Sequence, residues 1–302
     1  MTMTRRRPGR TRFSCLTATC LLALLAAHCS KSSPTSPSGP PAAGSIVYYT
    51  ALGASDAIGY GSSVVCIPFA ADCQNGMGYV QVIVRQLQAQ GSTVNLNNLG
   101  IPGAVIGPGM EALAAQYHRT VLGNFIDQEV PFVPRTSTLV TVFAGGNDVN
   151  TVGEAIRSGA GGNDPWTFVD QQIKAFGGEY ATLIAGIRNR APGARLVVAN
   201  LPNFAAIPMT SGYTVEERQL MQKISVGFST LVINPLSSQG IAVVDLLCNQ
   251  SFADPAVFSP DGFHPNDTGY AIFAAEMMKA ISSSSFPAPA GSCAQMQVVP
   301  AR

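Results

Sequence analysis

SIVYYTALGASDAIGYG, residues 45–61, decides the fold. Its first eight residues are short, apolar and rich in β-branched and aromatic side chains, and Gly53 ends them, the pattern of a buried strand feeding a turn. The pattern returns as TVNLNNL (93–99), STLVTVFA (137–144), ARLVVANL (194–201) and IAVVDLL (241–247), the runs ended by Gly, Pro or Asn. Between these runs, around 77–90, 108–127, 168–190, 214–236 and 267–282, apolar residues recur every three or four positions, as in helices that bury one face. Strand-helix alternation predicts an α/β fold: a three-layer α/β/α sandwich around a parallel sheet of about five strands. The stretch VNTVGEAIRSGAGGNDPWT (149–167) reads as a Gly-rich insertion after the third strand, a surface loop or a border of the substrate site, and it holds the only tryptophan, Trp166.

The composition fits one large core under a weakly charged surface. Hydrophobic residues make up 46% of the 302 residues and charged residues only 12%, against about 25% charged in an ordinary soluble domain. The arginines at 5, 6, 7, 10 and 12 precede every acidic group, so that from Cys29 onward 13 basic and 17 acidic residues remain, a net charge near −4. Such a surface has no positive field for phosphate backbones, and nucleic-acid binding is not expected.

MTMTRRRPGRTR (1–12) followed by CLTATCLLALLAA (15–27) has the charge and the short apolar run of a signal peptide over 1–28. The Ser/Pro-rich stretch 29–44 reads as a tether to a catalytic domain over 45–302. Cys29 is either acylated, as in a bacterial lipoprotein, where Ala26 and Ala27 suit the cleavage site and His28 departs from it, or incidental to an ordinary cut nearby. The expected location is therefore secreted or periplasmic, with any membrane attachment made through Cys29. Beyond the leader, Cys66, Cys73, Cys248 and Cys293 allow three pairings in an oxidising compartment. Cys66–Cys73 across VCIPFAADC and Cys248–Cys293 tying down the C-terminal tail are the expected bridges.

Sites of open parallel sheets form beyond the carboxyl ends of the strands. After the first strand, GASDAIGYG places Ser55 where a following turn offers backbone N–H groups, although serine also caps helices. NLGIPGA (98–104) and AGGND (144–148) follow the second and third strands, bringing Gly103 and Asn147, the latter an amide able to donate to an oxyanion. In SPDGFHPNDTGYAIFA (259–274), Asp261 and His264 are close enough for the carboxylate to accept the imidazole N–H. His28 lies in the leader and His118 in the helical pattern 111–122, which leaves His264 as the candidate base.

These four blocks resemble those of the SGNH hydrolases, the GDSL-like lipase and esterase superfamily, from about Ile46 to Ile281. The resemblance implies a flavodoxin-like fold and an ester hydrolase without cofactor, in which Ser55 attacks, His264 is the base and Asp261 orients it. It further implies an oxyanion hole made by the N–H groups of Ser55 and Gly103 and the Asn147 amide. The family's Gly-Asp-Ser is Gly-Ala-Ser here, Ala54 replacing the aspartate, which puts a supporting hydrogen-bond network in doubt. Two other readings stand beside this one. Asp56, Asn147, Asp148, Asp261 and His264 are the residues of a metal-dependent phosphoesterase, and the Ala54 substitution suits a non-catalytic carbohydrate- or lipid-binding module. Ile58, Tyr60, Ile67 and Phe69 near Ser55 favour small-molecule esters with acyl chains, taken by a monomer.

Overall fold

The computed structural model describes residues 39–67 and 73–300. The expected signal peptide, Cys29 and most of the tether lie outside the described residues, as does Phe69. Five strands, β1 (Ile46–Gly53), β2 (Thr93–Asn98), β3 (Leu139–Phe143), β4 (Arg195–Ala199) and β5 (Ala242–Val244), form one sheet in the order β2-β1-β3-β4-β5. All four pairings are parallel. Each strand falls inside the run the sequence predicts, give or take one residue, because β-branched runs too short for a helix have little alternative inside a core.

The helices are α1 (Tyr79–Ala89), α2 (Pro108–Gln116), α3 (Phe125–Gln128), α4 (Gly146–Arg157), α5 (Pro165–Arg190), α6 (Val215–Gly227) and α7 (Asp267–Ser282). α1 packs on α7, while α4 packs on α2 and α6, and α5 on α6. On α1 the buried Tyr79, Ile83 and Leu87 stand four residues apart, one stripe of the helix. Asn266 caps α7 by accepting the Gly269 N–H, and Thr214 with Glu217 forms a capping box that starts α6.

Two expectations need correction. The predicted helix 108–127 stops at Gln116, and His118 closes it in a left-handed turn (φ 58°) on the surface. The chain must reverse there because Val105 pairs with Asn124 in a parallel bridge, Val105 donating to Gly123 and Phe125 to Val105. The stretch 149–167 is not an insertion loop: it is most of α4 and the start of α5, joined by a short turn. Its glycines mislead because Gly153 serves packing, a Cβ there lying 2.6 Å from the Met221 sulfur on α6. Trp166 accordingly sits on the first turn of α5, with the Lys223 ammonium of α6 5.8 Å from its ring.

Disulfides join Cys66 to Cys73 and Cys248 to Cys293, with Cα separations of 5.6 and 5.8 Å. Among the described residues no helix is long and apolar enough to cross a membrane.

Candidate active site

β1 is the strand at which the sheet order reverses, with β2 on one side and β3 on the other, so the loops after β1 and β3 diverge and leave a crevice. Gly53 pairs with Phe143, which places the ends of β1 and β3 level. Ser55 opens a single 3₁₀ turn just past β1, and Asn147 lies in the first turn of α4 just past β3. The chain enters α4 through Gly145 at φ 119°, a conformation that costs a side-chain-bearing residue strain.

Ser55 Oγ is 2.7 Å from His264 Nε2, and His264 Nδ1 is 2.6 Å from Asp261 Oδ2. The sequence separates Ser55 from His264 by 209 positions, and the fold closes that gap by stitching the two loops. Ser63 donates its N–H and hydroxyl to the two oxygens of Asp267 (2.7 and 2.6 Å), and the Tyr270 hydroxyl donates to the Tyr60 carbonyl (2.7 Å). The imidazole is held edgewise between Tyr60 and Phe263, with ring centroids 4.7 and 4.6 Å away.

Asp261 is fixed within its own turn. Its Oδ1 accepts the N–H groups of Phe263 (2.8 Å) and His264 (2.9 Å) and the Ser259 hydroxyl (2.8 Å). Partial burial pushes this carboxyl up, but those N–H groups, the imidazole and the Ser259 hydroxyl together outweigh it and hold Asp261 at about 2. It is therefore ionised wherever an imidazole could act as a base.

The other two predicted residues lie on the neighbouring loops, Gly103 after β2 and Asn147 at the start of α4. Asn147 is buried, and its Nδ2 spends one N–H on the Ala104 carbonyl (3.0 Å), the residue after Gly103. Its Oδ1 accepts from Arg119 Nη2 at 3.4 Å, and Arg119 in turn is paired with Glu154 at 2.8 Å. Among the described residues, no backbone carbonyl accepts from the N–H of Ser55 or Gly103. Ala54, where an aspartate was expected, is buried in the apolar core. No motif pointed to Arg119 or to Glu129, which accepts the Gly53 N–H from a segment 76 positions away.

Asp148 is 0% exposed and accepts the Ile106 N–H at 2.8 Å. Burial pushes its carboxyl up to about 7; Glu179 adds to the rise, and the Ile106 N–H and Arg119 offset only part of it. A carboxyl raised in the fold binds protons preferentially in the native state. Its contribution is therefore complete below the ordinary value of 3.8 and is lost as the pH climbs to about 7. Asp148→Asn is expected to flatten that slope: between pH 4 and 7 the wild-type denaturation midpoint should fall further than the variant's. Parallel curves would show that Asp148 does not titrate in this way.

Of the residues of the metal reading, only the Asp261 and His264 side chains are in direct contact, as the pair already described. Asp148 is turned to Ile106 and Asp261 to its own turn, and among the described residues no three His, Cys, Asp or Glu side chains gather as a cation site.

The architecture is the SGNH hydrolase fold. The profile of the GDSL-like lipase/acylhydrolase family matches residues 51–272, and the chain belongs to that family. It is thus a hydrolase of the lipase and esterase type. Solved structures of the same fold include a lipase from a goat rumen metagenome, 18% identical with a TM-score of 0.56 over 78% of this chain and 98% of the other. An extracellular lipase from Streptomyces rimosus is 17% identical, with a TM-score of 0.54, over 78% of this chain and 99% of its own. Phospholipase A1 from Streptomyces albidoflavus is 17% identical, with a TM-score of 0.51, over 79% of this chain and all of its own. No curated protein matches the chain.

Proposed function

We propose that the protein is an exported serine ester hydrolase that works by two-step acyl transfer. The observation that carries this reading is the unbroken chain from Ser55 Oγ through His264 to the ionised Asp261, at 2.7 and 2.6 Å. His264 Nε2 takes the proton as Ser55 Oγ attacks the ester carbonyl, and the same proton passes to the departing alcohol. Water then enters with His264 again as base, and the acid leaves Ser55. Asp261 keeps Nδ1 protonated, so that Nε2 is free to accept, and stabilises the imidazolium between the two proton transfers.

The charge on the former carbonyl oxygen falls to the N–H groups of Ser55 and Gly103 and to the second N–H of Asn147. Asn147→Ala is expected to lower kcat by about 10²–10³ with KM little changed, the usual cost of one oxyanion donor. Wild-type turnover by a folded variant would remove Asn147 from the reaction.

The arginine-rich leader and the two disulfides support export to an oxidising compartment. All the proposed groups come from one chain, which supports a functional monomer. Tyr60 and Ile67 are exposed, whereas Ile58 is buried, and Tyr60 stands against the His264 ring, so at least one of the apolar residues that favoured acyl chains borders the reacting groups. A series of nitrophenyl esters tests the reading. Hydrolysis that persists or rises beyond the acetyl ester and stops after fluorophosphonate treatment is expected. Activity confined to acetylated sugars would overturn the acyl preference, and chelator-sensitive, phosphonate-insensitive hydrolysis would overturn the serine mechanism.

A further inference from the structure

The backbone N–H groups assigned to the oxyanion come from two separate segments, the turn after β1 and the loop after β2. Their spacing must be held to within a few tenths of an ångström to act together. Glu129, in the turn after α3, reaches the first of them just ahead of its donor. It is 0% exposed, and its Oε2 accepts the Gly53 N–H at 3.0 Å. The Gly53 carbonyl in turn accepts the Ile101 N–H at 3.1 Å, so the residue that Glu129 holds is tied directly to the loop after β2. Gly53 stands two residues before Ser55, and Ile101 two residues before Gly103. One buried side chain therefore grips the residue at which the two segments are joined, at the same remove from both donors. Beyond Gly103 the grip is completed from the other side, where Asn147 holds the Ala104 carbonyl and Asp148 the Ile106 N–H.

We propose that Glu129 is a positioning residue that sets the distance between the Ser55 and Gly103 N–H groups, and so aligns the oxyanion hole. The inference rests on the serine-hydrolase reading. Glu129 is an expensive way to fill space: its Oε1 is buried without a hydrogen-bond partner among the described residues, and burial drives its carboxyl well above the ordinary range. An apolar side chain would fill the same volume at lower cost, but it could not accept the Gly53 N–H. The carboxyl also answers the doubt raised by Ala54, since support for the segment ahead of Ser55 arrives from outside the motif.

The test compares Glu129→Ala, Glu129→Gln and Glu129→Asp for kcat, KM, thermal midpoint and affinity for a trifluoromethyl ketone that forms a tetrahedral adduct with the serine. Removing the acceptor in Glu129→Ala is expected to lower kcat by about 10–10², the scale of a misplacement near 1 Å. Ketone affinity should weaken in proportion while KM stays within a few-fold. Glu129→Gln keeps the acceptor at the same reach and is expected to recover most of the loss, whereas the shorter Glu129→Asp is not. A folded Glu129→Ala with wild-type kcat and ketone affinity would overturn the proposal, as would a Gln variant no better than Ala. If the Ala variant does not fold, Gln and Asp variants of equal activity would overturn it. Failure of the wild type to label with a fluorophosphonate at Ser55 would instead strike the serine reading itself. Labelled wild type with an unaffected Glu129→Ala would sink the positioning role alone.

Discussion

Ser55→Ala is expected to reduce kcat by about 10⁶ while leaving fold and substrate affinity almost untouched. Loss of a serine nucleophile has that scale because the step it serves has no substitute within reach, and what remains comes from binding and oxyanion stabilisation. Ser55 is 6% exposed, and among the described residues its hydroxyl has one hydrogen bond, to His264 Nε2. The alanine therefore deletes one oxygen without opening a large cavity. Its N–H, the proposed oxyanion donor, survives the change. Steady-state kinetics with a nitrophenyl ester, together with a thermal melt, reads both halves of the expectation. A variant retaining a hundredth of wild-type turnover, free of contaminating esterase, would show that another group attacks.

Asp261→Asn is expected to cost about 10⁴ in kcat with the fold preserved. In the wild type Oδ2 faces Nδ1, and Oδ1 is occupied by two backbone N–H groups and the Ser259 hydroxyl. Those three donors require an oxygen at the Oδ1 position, so in the variant the amide NH₂ is turned toward Nδ1. Facing a donor, Nδ1 becomes the acceptor and the ring proton moves to Nε2, where it blocks acceptance from Ser55. The wild-type carboxylate sits at about 2 in the fold, below its ordinary 3.8. Its contribution to stability is present above pH 3.8 and lost as the pH falls through about 2, so it leaves no mark on activity near neutrality. A variant within ten-fold of wild type would mean that Asp261 does not set the tautomer.

The strands and the chemistry-bearing loops were legible for the same reason: each is a local pattern. A β-branched run ended by glycine specifies a strand wherever it lies, and Asp261 and His264 meet inside one turn whatever surrounds it. Gly103 and Asn147 were legible because each follows such a strand, and a parallel sheet brings strand ends to one edge. What escaped was decided by tertiary contact. α4 was hidden because Gly153, a helix-weakening residue, answers to Met221 on another helix. The end of α2 was hidden because the reversal at His118 serves the Val105–Asn124 bridge. Glu129 and Arg119 lie in segments that carry no motif, and only the path of the chain carries them to Gly53 and Asn147. Ala54 looked like a defect in the motif, yet it packs in the core while the support it seemed to lack comes from elsewhere.

The most direct measurement is the site of covalent modification. Incubating the native protein with a fluorophosphonate, digesting it and mapping the adduct by mass spectrometry should give a single adduct on Ser55. That adduct should be lost in Ser55→Ala and formed far more slowly in His264→Ala. An active protein that carries no adduct, or carries it on another residue, would contradict the account.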